Sequence, residues 1–132
     1  MRTWIAVLAV IGLCMSTACT KKPTEVECQQ AVTHLSDILQ KEATEKMKQM
    51  QAQMGVPASV DPGKGMAEAM KNMQGSETWA FVRNAHIAAC QSHPQKLAFC
   101  VSNASTVDEL VNSCGMKASP GPRGGVTLSW PD

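Results

Sequence analysis

Apolar side chains recur at steps of three and four residues in the first half of the chain, a spacing that places them on one face of an α-helix. They are Cys28, Ala31, Val32, Leu35, Ile38, Leu39, Ala43, Met47, Met50 and Met54. Thr24 and Glu27 have the spacing of a capping box, in which each residue satisfies a backbone N–H of the other. Gly55-Val56-Pro57 then ends the pattern. The sequence predicts one long helix from Glu25 to Met54.

Two further helices are predicted after this one. Asp61 before Pro62 is typical of a helix start, because proline is tolerated at the first helical position. This weaker helix runs to Met73, and Gly75-Ser76 restarts the chain. The helix that follows is the most apolar, so we expect it to form the centre of the core. Its apolar residues are Trp79, Phe81, Val82, Ala85, Ile87, Ala88 and Cys90.

Two short helices complete the prediction. One begins after His93-Pro94, and Ser105 with Asp108 indicates a cap for the last helix, which ends at Gly115. No alternating strand pattern precedes residue 125, so the predicted fold class is all-α, a bundle of four to five helices over residues 25–115. Residues 116–132 are rich in Ser, Pro and Gly, which predicts a flexible tail. Within it, Val126–Trp130 is apolar enough either to dock or to remain a disordered end.

The N-terminal residues have the three parts of a secretory signal. Arg2 supplies the positive charge, Trp4–Leu13 is an apolar run, and small residues lead into Cys19. A membrane-spanning helix needs roughly 20 apolar residues, which is more than this run contains. The sequence therefore predicts an exported chain.

The segment Ser16-Thr17-Ala18-Cys19 resembles the lipobox of bacterial lipoproteins, in which the cysteine thiol carries a diacylglyceryl group. The resemblance implies lipidation at Cys19, with residues 20–24 as a short tether. Ser16 stands where these signals usually have leucine, and ordinary cleavage near Ala18 is the alternative. Thr20 follows the cysteine instead of the aspartate that retains some lipoproteins in the inner membrane, so we expect the periplasmic side of the outer membrane.

Four cysteines remain beyond the signal, an even number that favours disulfide bonds in an exported chain. Zinc-type C-x-x-C and H-x-x-x-H spacings do not occur in the sequence. If the last two helices form a hairpin, Cys114 returns close to Cys90. This favours the pairs Cys90–Cys114 and Cys28–Cys100, with Cys28–Cys90 and Cys100–Cys114 as the alternative.

The cysteine pattern is similar to that of a group of small exported proteins. Cys28-x-x-Ala31-Val32-x-His34-Leu35, followed by Cys90-x9-Cys100-x13-Cys114, resembles small four-cysteine helical proteins of myxobacteria and related bacteria. The likeness covers residues 25–114 without the methionine-rich insertion at 47–73. It implies an exported or lipid-anchored helical domain and carries over no activity.

Charge excludes one class of partner. The chain has 12 basic and 11 acidic residues, and removal of Arg2 with the signal leaves the two signs equal. Nucleic-acid binding depends on neutralising phosphates with basic side chains. We therefore expect no nucleic-acid partner. The largest basic cluster, Lys21-Lys22, stands beside the predicted anchor.

Methionines are the main candidates for chemistry. Six of them form two trios at helical spacing, Met47, Met50 and Met54, then Met66, Met70 and Met73. Thioethers suit Cu(I), so copper handling is one hypothesis. The favoured interpretation is an adaptable apolar face where helices or a partner meet. Copper sites also tend to include His or Cys, and neither occurs between residues 35 and 85.

The remaining candidates point to structural roles. His34, His86 and His93 are scattered, and we expect partly buried, hydrogen-bonded side chains, with helix capping by His93. Asp37–Lys41 and Glu42–Lys46 have the spacing of helical ion pairs. No catalytic constellation and no cofactor site is predicted. The sequence indicates a non-enzymatic, membrane-tethered helical module that binds an envelope protein through its apolar faces.

Overall fold

The computed structural model describes residues 21–57, 59–121 and 125–132. The predicted signal peptide, including Cys19, lies outside the described residues. Within those three ranges, no helix has the length and apolar character needed to cross a lipid bilayer.

Five helices and one β-hairpin make up the described part of the chain, so the predicted helical fold class is confirmed. The helices are α1 (Glu25–Gln53), α2 (Pro62–Gln74), α3 (Glu77–Gln91), α4 (Gln95–Asn103) and α5 (Val107–Asn112). The strands β1 (Lys117–Pro120) and β2 (Val126–Ser129) pair antiparallel, with Lys117 opposite Ser129 and Pro120 opposite Val126.

Local capping chemistry explains where the first helices begin. Thr24 caps α1, because its hydroxyl accepts a hydrogen bond from the Glu27 N–H while the Glu27 carboxylate accepts one from the Thr24 N–H at 2.7 Å. Asp61 caps α2 as predicted, accepting from the Gly63 N–H at 2.9 Å. Both starts follow from short polar side chains that satisfy free N–H groups.

The cap of the last helix lies one residue later than predicted. Thr106, not Ser105, caps α5, and its hydroxyl accepts from the Glu109 N–H. Ser105 instead donates its backbone N–H to the Glu109 carboxylate at 2.6 Å. The prediction of Ser105 with Asp108 is therefore wrong, because the equivalent Thr-x-x-Glu pattern begins at Thr106.

The core is centred on the first half of α1, not on α3. Its buried α1 residues are Cys28, Ala31, Val32, Leu35 and Ile38, which pack with Ala98, Val101, Ala104, Leu110, Cys114 and Met116 from the chain after α3. From α3 only Ile87 and Cys90 are buried. Phe81 is 76% exposed, because at 100° per residue it lies on the side of α3 opposite Cys90.

The disulfide bonds are Cys28–Cys90 and Cys100–Cys114, so the favoured pairing is wrong and the alternative is observed. Cys90 lies at the end of α3, beside the start of α1. Helix α5 has six residues and rises about 9 Å, whereas α4 has nine and rises about 14 Å. Because α5 is shorter than α4, the chain after α5 does not reach back beyond the start of α4, where Cys90 lies. Cys114 therefore pairs with Cys100, within α4.

The C-terminal segment is a docked hairpin, which corrects the expectation of a flexible tail for its described residues. Leu128 and Trp130 are buried, whereas Thr127 and Ser129, which alternate with them along the chain, are exposed, so β2 has the two-residue alternation of a strand with one buried face. The Trp130 ring stacks on His93, with the ring centroids 6.0 Å apart. The Trp130 indole N–H is buried and has no hydrogen-bond partner among the described residues.

Replacing Leu128 with alanine tests the docking of this hairpin. We expect Leu128→Ala to lower the free energy of unfolding by about 2–4 kcal/mol, because it removes a buried side chain and leaves a cavity. Thr127→Ala, on the exposed side of the same strand, is the control and should change it by less than about 0.5 kcal/mol. Urea denaturation measures both, and equal small effects would show that the tail does not pack.

Candidate binding surfaces

The two methionine trios do not face one another across the α1–α2 hairpin. The Thr44 hydroxyl lies 3.7 Å from the Met66 sulfur, so Met66 stands level with Thr44. Further along the hairpin, the Gln51 side-chain amide donates to the Val60 carbonyl at 2.7 Å. The helices therefore run antiparallel, and of the first trio only Met47 stands within about one helical turn of Met66.

Met66 and Met70 instead fill space between structural elements. They line a groove of about 220 Å³ together with Leu39 and Ala43 of α1 and Val126 of β2. Thioether side chains suit such an irregular contact because they are flexible and polarizable. Met50, Met54 and Met73, by contrast, are exposed to solvent.

The register of α1 against α2 leads to a prediction for copper binding. Titration of Cu(I) into the chain without residues 1–19 should show no binding tighter than micromolar, because the trios do not supply three thioethers at one level. Met47→Leu and Met66→Leu, which preserve packing, should leave the titration unchanged. Submicromolar binding that is lost in Met66→Leu would contradict this reading.

The three histidines have different surroundings. His34 lies 2.6 Å from the Ala104 carbonyl through its Nε2 atom and is half-buried, which matches the predicted hydrogen-bonded role. His86 is half-buried on α3. His93 does not cap α4, whose first turn follows Pro94 without a side-chain cap, and its ring packs on Trp130. The predicted capping role of His93 is therefore wrong.

One of the two predicted ion pairs forms. Lys46 contacts Glu42 at 2.7 Å, whereas Asp37 and Lys41 form no ion pair in the described structure. Asp37 instead lines an open cleft of about 370 Å³ that also contains Trp79 and Arg83. Among the described residues, no group of three or more His, Cys, Asp or Glu side chains is placed to hold a metal ion.

The far end of the α1–α2 hairpin carries exposed apolar side chains. We call Met50, Met54, Val56 and Val60 the arm tip. Met54 is 73% exposed, and Val60 is held at the end of α1 by the hydrogen bond that its carbonyl accepts from the Gln51 side chain. The helical spacing of the sequence predicts Met50 and Met54 as part of the apolar stripe, but it does not reveal the two valines, which stand in a loop without periodicity.

The opposite end of the domain is built from the starts of α1 and α4. The Gln95 N–H donates to the Lys21 carbonyl at 2.8 Å, and the Gln95 side-chain amide donates to Glu27 at 2.7 Å. On the same two helices, Val26 next to Glu27 and Phe99 four residues after Gln95 are exposed. We call Lys21, Lys22, Val26, Lys96 and Phe99 the basal end.

Hydrogen bonds at this end lower the pKa of Glu27. The backbone N–H of Thr24 is the largest cause, followed by the Gln95 amide, with a smaller contribution from the charge of Lys21. These partners favour the ionised carboxylate. The stabilisation is therefore fully present above the ordinary pKa of 4.5 and is lost as the pH falls through the lower pKa of the folded state.

Glu27→Gln should reduce the acid sensitivity of the domain. Glutamine does not titrate, so the variant should lose less stability than the native chain between neutral pH and about pH 3. Urea denaturation at the two pH values measures the difference. Glu45→Gln, at an exposed position in the second half of α1, is the matched control, and an equal effect of both substitutions would contradict the role of Glu27.

Comparisons of the chain with protein families, with curated proteins and with solved structures found no match. The resemblance of the cysteine pattern to small helical envelope proteins therefore remains a hypothesis from the sequence. The surfaces described above are the basis for assigning a function.

Proposed function

We propose that the protein is a lipid-anchored, non-enzymatic binding module of the bacterial cell envelope. Cys19 holds the domain at the membrane, and the arm tip binds an envelope protein. The observation that carries this proposal is a helical hairpin that extends beyond the core and ends in exposed apolar side chains.

The arm lacks a core of its own. Beyond Ile38, no residue of α1 is buried, and none is buried in α2 among the side chains described. Two helices joined in this way gain little from burial, and helical stability in proteins comes mainly from tertiary packing. Exposed apolar clusters on soluble domains commonly mark contact sites for other molecules. A partner that covers Met50 and Met54 would supply the missing packing.

The length of α1 suits this arrangement. Its 29 residues extend about 42 Å from the basal end to the arm tip. A partner bound at the tip is therefore well separated from the start of the domain, which follows Cys19 closely in the sequence.

The proposed compartment rests on the sequence and on the cysteines. Disulfide bonds persist in oxidising compartments such as the bacterial periplasm, and the two bonds of the described residues join α1 to α3 and α4 to the turn after α5. The signal-like segment and the lipobox resemblance support export and anchoring at Cys19. Thr20 favours the outer membrane over the inner one.

A photo-crosslinking experiment tests the partner site. Benzoylphenylalanine is placed at Met54 or at Phe81 in the full chain, expressed in a bacterium that processes lipoproteins. The two positions are 73% and 76% exposed, so they are matched in access to solvent. We expect a discrete protein adduct from position 54, at least about fivefold above that from position 81, because the partner covers the arm tip.

Controls separate the anchor from the binding site. A Cys19→Ala chain should leave the membrane fraction, and its retention there would contradict anchoring through Cys19. Adducts of equal yield from positions 54 and 81, or none from position 54, would contradict the assignment of the arm tip.

A further inference from the structure

The folded domain begins almost directly after the proposed lipid anchor. Lys21 is already held to α4 by its carbonyl, Pro23 is buried, and α1 starts at Glu25. Lys21 follows Cys19 by two residues, and two extended residues span at most about 7 Å. The residues expected to act as a tether are therefore largely part of the domain.

We propose that the basal end rests on the phospholipid bilayer and that α1 projects the arm tip away from it. This inference rests on the proposed lipidation of Cys19. A lipid on Cys19 holds Lys21 within about 7 Å of the anchored residue, so the surface around Lys21 meets the headgroups. The occupant of this surface is a bilayer that contains anionic phospholipids.

The side chains at the basal end suit that contact. Lys21, Lys22 and Lys96 are exposed and can meet anionic headgroups. Of the acids at the start of α1, Glu27 is engaged by Thr24 and Gln95, and Asp132 at the end of the chain pairs with Lys117. Val26 and Phe99 add exposed apolar side chains, which favour the boundary between headgroups and acyl chains.

Distances along the helices give each exposed side chain a different height above the bilayer. Gln95, at the start of α4, donates to Glu27, and the Ala104 carbonyl, at the end of α4, lies beside His34 further along α1. Helix α4 therefore runs parallel to α1. Phe99 therefore stands about 6 Å above Gln95, and its side chain leans back toward the helix start. Phe81 belongs to the part of α3 that lines a cleft with residues 32–37 of α1, and these residues stand about 8–15 Å above Glu27. Met54 stands about 40 Å above it.

The two phenylalanines of the chain provide a matched test, since both are exposed. Benzoylphenylalanine is placed at position 99, 81 or 54 in the full chain. Each processed protein is reconstituted into vesicles of phosphatidylethanolamine and phosphatidylglycerol and irradiated. Mass spectrometry then measures the lipid on Cys19 and the phospholipid adduct at the probe.

We expect the phospholipid adduct at position 99 to exceed that at positions 81 and 54 by at least about fivefold. Equal or greater adducts at position 81 or 54 on a lipidated chain would overturn the proposed orientation and leave the anchor intact. A chain without lipid on Cys19 would overturn the anchor and this inference together. The Cys19→Ala chain is the control and should give no phospholipid adduct at position 99.

Discussion

The buried face of α1 between Cys28 and Ile38 is the contact on which the rest of the structure depends. Helices α3, α4 and α5 all pack against this short stretch, and the Cys28–Cys90 bond joins it covalently to the end of α3. In the chain-entropy picture, that bond restricts the unfolded state more than the second one, because it closes a loop of 62 residues instead of 14. The core is small, and all of its helices are placed by their packing on one face of α1.

Helix boundaries were predictable because local chemistry decides them. Thr24, Asp61 and Pro62 act within a few residues of their own positions, so the starts of α1 and α2 could be found from the sequence alone. Which face of a helix is buried depends on distant residues. In α3, Phe81 and Cys90 lie on opposite sides, and composition alone does not tell which side meets α1. A projection of α3 onto a helical wheel would have revealed two apolar faces.

Contacts between residues that are distant in the sequence were the second feature that the sequence could not predict. The disulfide connectivity depends on the lengths of α4 and α5, and an error of a few residues in those lengths changes the partner of Cys114. The hairpin was missed because β1 contains no apolar alternation and glycine and proline dominate the segment. The sequence did contain a short apolar alternation from Val126 to Trp130. That alternation indicates a docked strand only if the fold provides a surface for it to pack on, and His93, which stacks on Trp130, is part of that surface. At the candidate surfaces, the methionine spacing was visible but the register between α1 and α2 was not.

The two halves of α1 differ in how firmly they are held, and this difference bears on function. The Cys28–Cys90 bond and all the buried side chains of α1 belong to the half nearest the basal end. The half beyond Ile38 is held by α2 and by partial cover from the hairpin near Val126. Local stability follows burial, so the arm should open at lower free energy than the core. In the proposed function, this difference would let the methionine and valine side chains of the arm tip adjust to a partner, while the disulfide-bonded half keeps a fixed shape.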